Sequence, residues 1–306
     1  MDHKLYLSDK GIYRTNGRFY YHKNNQIVTD QRILERVSRL VVPPAWIQVW
    51  FASNPKCHIQ VHGIDTGGKK QYILSQQWVN HAKYEKFNRM KRFIRDLLTF
   101  KRLVSLKRCV ITRETLIHLL FNLLIELHVR VGNEIYAENN STYGLTTLRQ
   151  KHLEWNGETF QLKFVGKSNI SHLVEIPSKF NPWFHKLKSS NLNAMLFICN
   201  GRAVTSEELN DYLKANMGRD YTCKDFRTYS ANMLFIQSFL KNSKNTDKNA
   251  KRCVLMSIDE SAEQLGHTRS ISRKSYISES LIDFCIYSFG KAKLLSGSSL
   301  LSRVWS

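Results

Sequence analysis

TRETLIHLLFNLLIELHVRVG, residues 112–132, decides how this chain is read. Leucines at 116, 119, 120, 123, 124 and 127 recur at spacings of three and four, which places them on one stripe of a helix. The apolar run over 116–127 is interrupted by His118, Asn122 and Glu126. It also falls short of the roughly 20 residues that a membrane span requires, so it reads as a helix buried in a globular core. Gly132 is a natural terminator, and Arg130 therefore falls at a helix end.

Working outward toward the N-terminus, helical periods begin near Ser75, and what precedes them is β-rich. IYRTNGRFYYH carries Asn16-Gly17 between β-prone runs, a two-residue hairpin signal, and HKNNQIV suggests a second reversal. TDQRILERVSRLVVPPAW predicts a short helix stopped before Pro43-Pro44. HIQVHGIDTGGKKQYIL predicts a hairpin turning at residues 65–68, with Cys57-His58 as strand residues. The expected organisation is an α+β chain: residues 1–76 form a small β-rich domain, and residues 77–306 a larger, mainly helical domain containing a short β-sheet.

That short sheet is expected C-terminal to the opening stretch. LRQKHLEWNGETFQLKF alternates on both sides of Asn156-Gly157, NISHLVEI can supply a third strand, and Lys167 sits in the turn between the last two. Thr205 with Glu208 predicts a capping box for a helix ending near Gly218. Thr222 with Asp225 predicts another start, which puts Arg227 in early helical turns. Ser257 with Glu260 predicts a third capping box for a helix ending at Gly266, and this explains Asp259 and Glu260 as dipole and capping partners.

Apolar residues make up 42% of the chain, enough for a real core, while 46 Lys and Arg against 25 Asp and Glu give a formal net charge of +21. An excess spread along the whole chain points to a polyanion, with nucleic acid ahead of an acidic membrane surface. Six cysteines without a CxxC pair read as reduced thiols, and Cys57-His58 lacks the second pair a four-ligand metal site needs. MDHKLYLSDK has no apolar core of signal-peptide type, so an intracellular protein is expected. The stretch from Lys241, KNSKNTDKNAKR, reads as a polar basic loop, a candidate for nuclear entry as well.

GHTRSISRKSYIS, residues 266–278, raises a chemical question. On one unbroken helix, His267 and Tyr276 would lie on opposite sides, because nine residues at about 100° each give half a turn beyond two full ones. They share a site only if the helix breaks, and Gly266 can end one helix while Ser270 or Ser272 caps the next. On that next helix, Ile277, Leu281, Phe284, Cys285 and Tyr287 or Ser288 would face inward, leaving Tyr276 on a polar flank with its hydroxyl exposed among cations. A phenol with an ordinary pKa of about 10 is a poor nucleophile unless its anion is stabilised. A phosphodiester, whose non-bridging oxygens gather charge at five-coordinate phosphorus, is the target that gains most from clustered cations. Arginine suits that task because its planar fork bonds two oxygens at once.

Four ordered segments carry a resemblance: RVGNEIYAENNSTYGLTTL from Arg130, KFVGKSNISH from Lys163, KDFRTYSANMLF from Lys224 and LGHTRSISRKSY from Leu265. Together they resemble the active-site segments of type IB DNA topoisomerases, and look closest to the compact poxvirus enzymes. LVVPPAW and GGKKQY extend the likeness into the N-terminal unit. The resemblance implies that Tyr276 attacks one DNA strand to give a 3′-phosphotyrosyl bond, that Arg130, Arg227 and His267 hold the non-bridging oxygens, and that Lys167 protonates the leaving 5′-oxygen. It further implies supercoil relaxation without ATP, metal or other cofactor, by a monomer that clamps double-stranded DNA, and a virion and host-cytoplasm setting. Lys69, Lys70, Gln71, Tyr72 and Tyr136 are the expected DNA contacts. The chain departs from the poxvirus pattern at Arg269, where proline is usual, and at Ser168, where aspartate is.

Two rivals are weighed beside this reading. A tyrosine recombinase shares the chemistry, yet recombinases present HxxR where this chain has KDFR. A basic packaging protein would explain the charge but not five ordered residues. Each of the five alone has a plainer reading: a helix-end cation, a turn lysine, a salt-bridged arginine, a capping histidine, a surface ring. Their joint order reverses that judgement.

Overall fold

The computed structural model describes residues 10–218, 221–244, 249–287 and 289 of the 306. The leader reading at residues 1–9, part of the Lys241 loop at 245–248, and Ser288 lie outside the described residues. The chain divides into two compact units, Met1–Asn88 and Arg89–Ser306.

The described residues of the first unit form a five-stranded antiparallel sheet with a helix against it, followed by the start of a longer helix. Its strands are β1 (Ile12–Thr15), β2 (Arg18–Tyr21), β3 (Ile47–Phe51), β4 (Ile59–Ile64) and β5 (Lys70–Leu74), in the order β2-β1-β3-β4-β5. The first hairpin turns at Asn16-Gly17, both with positive φ, and pairs Thr15 with Arg18. At the second turn Asp65 Oδ1 accepts from the Gly67 and Lys69 amides, each at 2.9 Å, in place of backbone partners. Register sorts the two faces. Ile12 pairs with Phe51 and Phe51 with Val61; all three are buried and packed with Val37 of α1 (Gln31–Arg39). On the other face, successive pairs align Tyr20, Tyr13, Trp50, His62 and Tyr72 in one row across all five strands. The central strand β3 is absent from the sequence reading, because Pro43-Pro44 just before it masked a five-residue run. Cys57 and His58 are not strand residues either; they lie in the connection before Ile59.

Helix α2 (Gln76–Leu103) starts where the sequence reading placed the domain boundary and runs across the division between the units. In the second unit, α3 (Arg113–Leu127) carries the leucine stripe, and Leu116, Leu119, Leu120, Leu123 and Leu124 are all buried. It ends on His128 in the left-handed region, four residues before Gly132. Helix α4 (Glu134–Asn140) follows, then the three-stranded sheet β6 (Leu153–Trp155), β7 (Phe160–Gly166) and β8 (Ile170–Glu175), in sequence order. The remaining elements are α5 (Asn181–Leu187), the two-stranded ribbon β9 (Ile198–Cys199) and β10 (Arg202–Ala203), α6 (Ser206–Met217), α7 (Cys223–Ser243), α8 (Ala250–Gln264), α9 (Arg269–Ser275) and α10 (Glu279–Tyr287).

Three capping expectations meet different outcomes. Thr222 and Asp225 form the reciprocal box at the start of α7. The Thr205 hydroxyl accepts from Glu208 N at 3.2 Å to cap α6, while the Glu208 carboxylate is held mainly by the Arg113 guanidinium. Ser257 and Glu260 do not start a helix: Asn249 caps α8 eight residues before Ser257, Ser257 donates back to Cys253 O at 2.7 Å, and Glu260 accepts from Asn242. The basic loop after Lys241 is correspondingly short, because α7 continues to Ser243 and α8 begins at Ala250. On α10, Leu281, Ile282 and Cys285 point inward, whereas Tyr287 is 88% exposed and faces solvent.

An aromatic knot holds α2, α3 and α7 together. Phe226 is 1% exposed and meets Phe93 at 5.1 Å, Phe121 at 5.7 Å and Phe100 at 6.1 Å between ring centroids. Phe226→Ala should therefore cost about 3–5 kcal/mol, the usual loss for emptying a buried aromatic site. Urea unfolding checks it; a loss below about 1 kcal/mol would mean the knot relaxes without consequence.

Candidate active site

Arg227 is the best-buried cation of the predicted set, at 6% exposure, on the second turn of α7 next to Phe226. A buried guanidinium needs acceptors. It finds them at helix ends: Nη1 donates to His128 O at 2.7 Å, beyond α3, and Nη2 to Leu265 O, beyond α8. Nε and Nη2 also lie 3.3 and 3.0 Å from His267 Nε2. Arg130 stands half-buried two residues after His128. Its carbonyl accepts from Leu145 N at 2.8 Å, and this crossing is tight because Gly132 meets Gly144: a Cβ on Gly144 would come within 2.5 Å of Gly132 N. Glycine at both positions lets the Arg130 loop lie flat on the 144–147 turn.

His267 and Tyr276 are brought together by the break predicted between them. Gly266, with φ +58, ends the preceding turn, and α9 spans only seven residues. Its cap is Thr268, whose side chain accepts from Ile271 N, and not Ser270 or Ser272. Ser272 is buried and serves both ends instead. Its hydroxyl lies 3.3 Å from His267 Nδ1, and its carbonyl accepts from Tyr276 N at 3.0 Å and from Ile277 N at 2.9 Å. Tyr276 closes α9 as its C-cap, with φ −127 and ψ −42, and its ring stacks on His267 with centroids 4.4 Å apart and 23° between planes. The ring is half-buried against the core cluster, so the phenol is less open than the polar-flank reading implied.

Asn232, five residues after Arg227 on α7, was missed by the sequence reading. It is fully buried, its Nδ2 donates to Tyr276 O at 2.9 Å and to Thr228 O at 2.7 Å, and its Oδ1 accepts from Ser278 N at 3.0 Å. One amide thus pins the backbone on both sides of the tyrosine. The available signal was a polar residue among core neighbours, since Phe235 and Ile236 one turn on are both buried.

Lys167 is the predicted residue not drawn into this hydrogen-bonded cluster. It is exposed at the tip of the β7–β8 turn, followed by Ser168 and Asn169, both in the left-handed region with φ 65 and 59. The hairpin itself is tied in, as Tyr143 N donates to Val165 O at 2.8 Å. Arg269 pairs with Asp259 through two contacts of 2.5 Å, a carboxylate that the sequence reading assigned to a helix start. In the first unit, Lys69 and Lys70 are exposed, Tyr72 is 49% exposed with the Lys70 ammonium 5.7 Å over its ring, and the Gln71 amide donates to Asp65 at 2.7 Å. Tyr136 is 51% exposed on α4 in the second unit.

The electrostatics follow from two cations sharing one apolar site. Burial lowers the pKa of Arg227, Arg130 nearby lowers it further, and Tyr276 works against both. An arginine remains charged through such a shift. His267 is pushed down to about 3 by burial, with Arg227 and Arg130 adding to the effect, and is neutral at pH 7. With Nε2 facing Arg227 donors, Nδ1 carries the proton toward Ser272. Burial and the same two arginines also lower His172. What the arrangement can do is bind an anion of phosphate size and stabilise added charge on it.

Comparison with known proteins gives the family. The family model of the eukaryotic DNA topoisomerase I catalytic core matches residues 74–283, and that of the bacterial DNA topoisomerase IB N-terminal domain matches residues 18–65. DNA topoisomerase 1B of Acanthamoeba polyphaga mimivirus is 33% identical over 287 residues, covering 88% of this chain and 85% of that protein. DNA topoisomerase I of Monkeypox virus is 27% identical over 301 residues, covering 90% and 89%. Among solved structures, a post-cleavage complex of the XerH site-specific recombinase overlaps 74% of this chain and 59% of its own at 15% identity and a TM-score of 0.39, too little to carry weight.

The depressed pKa of His267 has a consequence for pH. Because its folded value lies below its unfolded one, the unfolded chain binds more protons between about 6.5 and 3, so stability is present above pH 6.5 and lost as pH falls through that window. The His267 ring signals in NMR should hold their neutral positions from about pH 8 down to pH 5. A midpoint near 6.5 would contradict the site described here.

Proposed function

The chain belongs to the type IB DNA topoisomerases, and from that premise we propose how its own residues break and rejoin a DNA strand. The observation that carries the proposal is the convergence of Arg227, Arg130 and the His267 ring on the Tyr276 phenol. Two cations beside the attacking oxygen favour the charge that gathers on a phosphodiester under attack.

In the proposed reaction Tyr276 Oη loses its proton to water and attacks the scissile phosphorus. The new bond joins Oη to phosphorus, and the bond from phosphorus to the 5′-oxygen breaks. Lys167 Nζ gives that oxygen its proton, leaving a 5′-hydroxyl and a 3′-phosphotyrosine. The hydroxyl reverses each step after the helix has relaxed, returning its proton to Lys167. The phosphotyrosine conserves the energy of the phosphodiester, so the reaction needs neither nucleotide nor metal, and one chain carries every group as a monomer.

Arg130 and Arg227 hold the non-bridging oxygens. His267 is neutral without an anion, and an entering phosphodiester both competes for the Arg227 donors and favours a proton on Nε2, which turns the imidazole into a third donor. In the first unit, Lys70 and Tyr72 end the aromatic row of the outer sheet face, a surface suited to groove contacts together with Lys69 and Gln71. Tyr136 adds a contact from the second unit. Binding of one duplex by both units is the clamp.

Tyr276→Phe should abolish relaxation of supercoiled plasmid while DNA binding persists, at a stability cost within about 1 kcal/mol. The wild type, trapped on end-labelled strands and digested, should yield a Tyr276 peptide on the 3′ end; attachment at a 5′ end or at another residue would overturn the mechanism.

Lys167→Ala should slow cleavage of ordinary DNA by about 10² or more. On DNA with sulfur as the 5′ leaving atom, the same variant should cleave near the wild-type rate, because a thiolate leaves without a proton. Equal defects on both substrates would remove Lys167 from the acid role.

A further inference from the structure

We propose that His172 is a positioning residue that holds the Lys167 turn in register with the His267 turn, an assignment that rests on the general-acid reading above. His172 lies on β8 opposite Phe164 of β7, and the two rings stack with centroids 5.0 Å apart and 19° between planes. The same imidazole touches two glycines. A Cβ on Gly166 would come within 2.7 Å of His172 Cδ2 and Nε2, and one on Gly266 within 3.0 Å of His172 Cε1.

Those glycines have a common property: Gly166 immediately precedes Lys167, and Gly266 immediately precedes His267. One ring therefore sets the separation between the two turns. Ile170 closes the same contact, with its Cγ2 3.5 Å from the Cβ position of Gly266. Phe164, 6% exposed, backs the ring against the core.

The Lys167 turn needs such a brace. It is exposed, and its own left-handed residues Ser168 and Asn169 shape the turn without anchoring it to the cation cluster. A general acid misplaced by about 1 Å can lose about 10² in rate. The ring also suits the electrostatics: Arg130 and Arg227, with burial ahead of both, keep it uncharged, so it approaches the two guanidiniums without adding repulsion. Glycine at 166 and 266 is then a packing requirement, since any side chain would push the ring aside.

The test is single-turnover cleavage at a site first mapped with the wild type, on duplexes with oxygen or sulfur as the 5′ leaving atom. His172→Ala should slow the oxygen substrate about tenfold or more, a part of the 10²–10⁴ a general acid supplies, and leave the sulfur substrate within about threefold. Adding His172→Ala to Lys167→Ala should slow the oxygen substrate no further, because the ring acts through the lysine. Gly166→Ala, at a φ of −98 that alanine accepts, drives a Cβ onto the ring and should give the same pattern even if His172→Ala does not fold. Equal slowing of both substrates, no slowing of either, or additive loss in the double variant would overturn the proposal. Failure of the general-acid reading shows separately, as Lys167→Ala slow on both substrates.

Discussion

A guanidinium only 6% exposed at Arg227 is the constraint on which the site depends. A carboxylate would have neutralised it; its partners are instead two backbone carbonyls, of His128 and Leu265, and the neutral His267 ring. They satisfy its donors without cancelling its charge, and that residual charge shapes everything nearby. Behind burial, which is the larger cause, it helps keep His267 neutral and lowers His128 and His172, and it repels Arg130 across the site. Burying such a pair costs several kcal/mol that the fold must offset elsewhere. An anion bound between them would recover part of that cost.

The scaffold provides the offset through ordinary packing. Phe226, adjacent in sequence, drives the first turns of α7 into the aromatic knot with Phe93, Phe100 and Phe121. Arg227 is carried along by a helix that cannot shift without emptying that core. The two carbonyls it meets are the ones helices leave without intrahelical donors at their C-terminal ends. Three elements, α3, α7 and α8, are thus joined by one side chain. Ser272 and Asn232 extend the same economy to the tyrosine: each is buried, and each spends its polar atoms on backbone or ring atoms around His267 and Tyr276. Tyr276, held by main-chain contacts on both sides, keeps its ring direction even though it sits between two helices.

Local rules made much of the chain legible. Leucine spacing identified α3, Asn16-Gly17 and Asp65 to Gly68 identified two hairpins, and Thr222 with Asp225 placed the start of α7 to the residue. Two failures are instructive. Ser257 and Glu260 match a capping pattern, but tertiary partners use both side chains and Asn249 starts the helix earlier. Strand β3 has the right composition, yet its neighbours Pro43 and Pro44 obscured it, and its place at the centre of the sheet comes from pairing with β1 and β4.

The sequence alone determined which groups are available: five ordered residues, a helix break after Gly266 and a charge excess suited to a polyanion. Those are properties of residue type and short spacing, and a linear reading reaches them. Only tertiary structure decided that Arg227 would end on carbonyls separated from it by 99 and 38 residues, that Asn232 would clamp Tyr276 from 44 residues away, and that His172 would lie against the glycines before Lys167 and His267. Each of these depends on which buried donor or ring finds its partner once the core closes, and no local pattern encodes that choice.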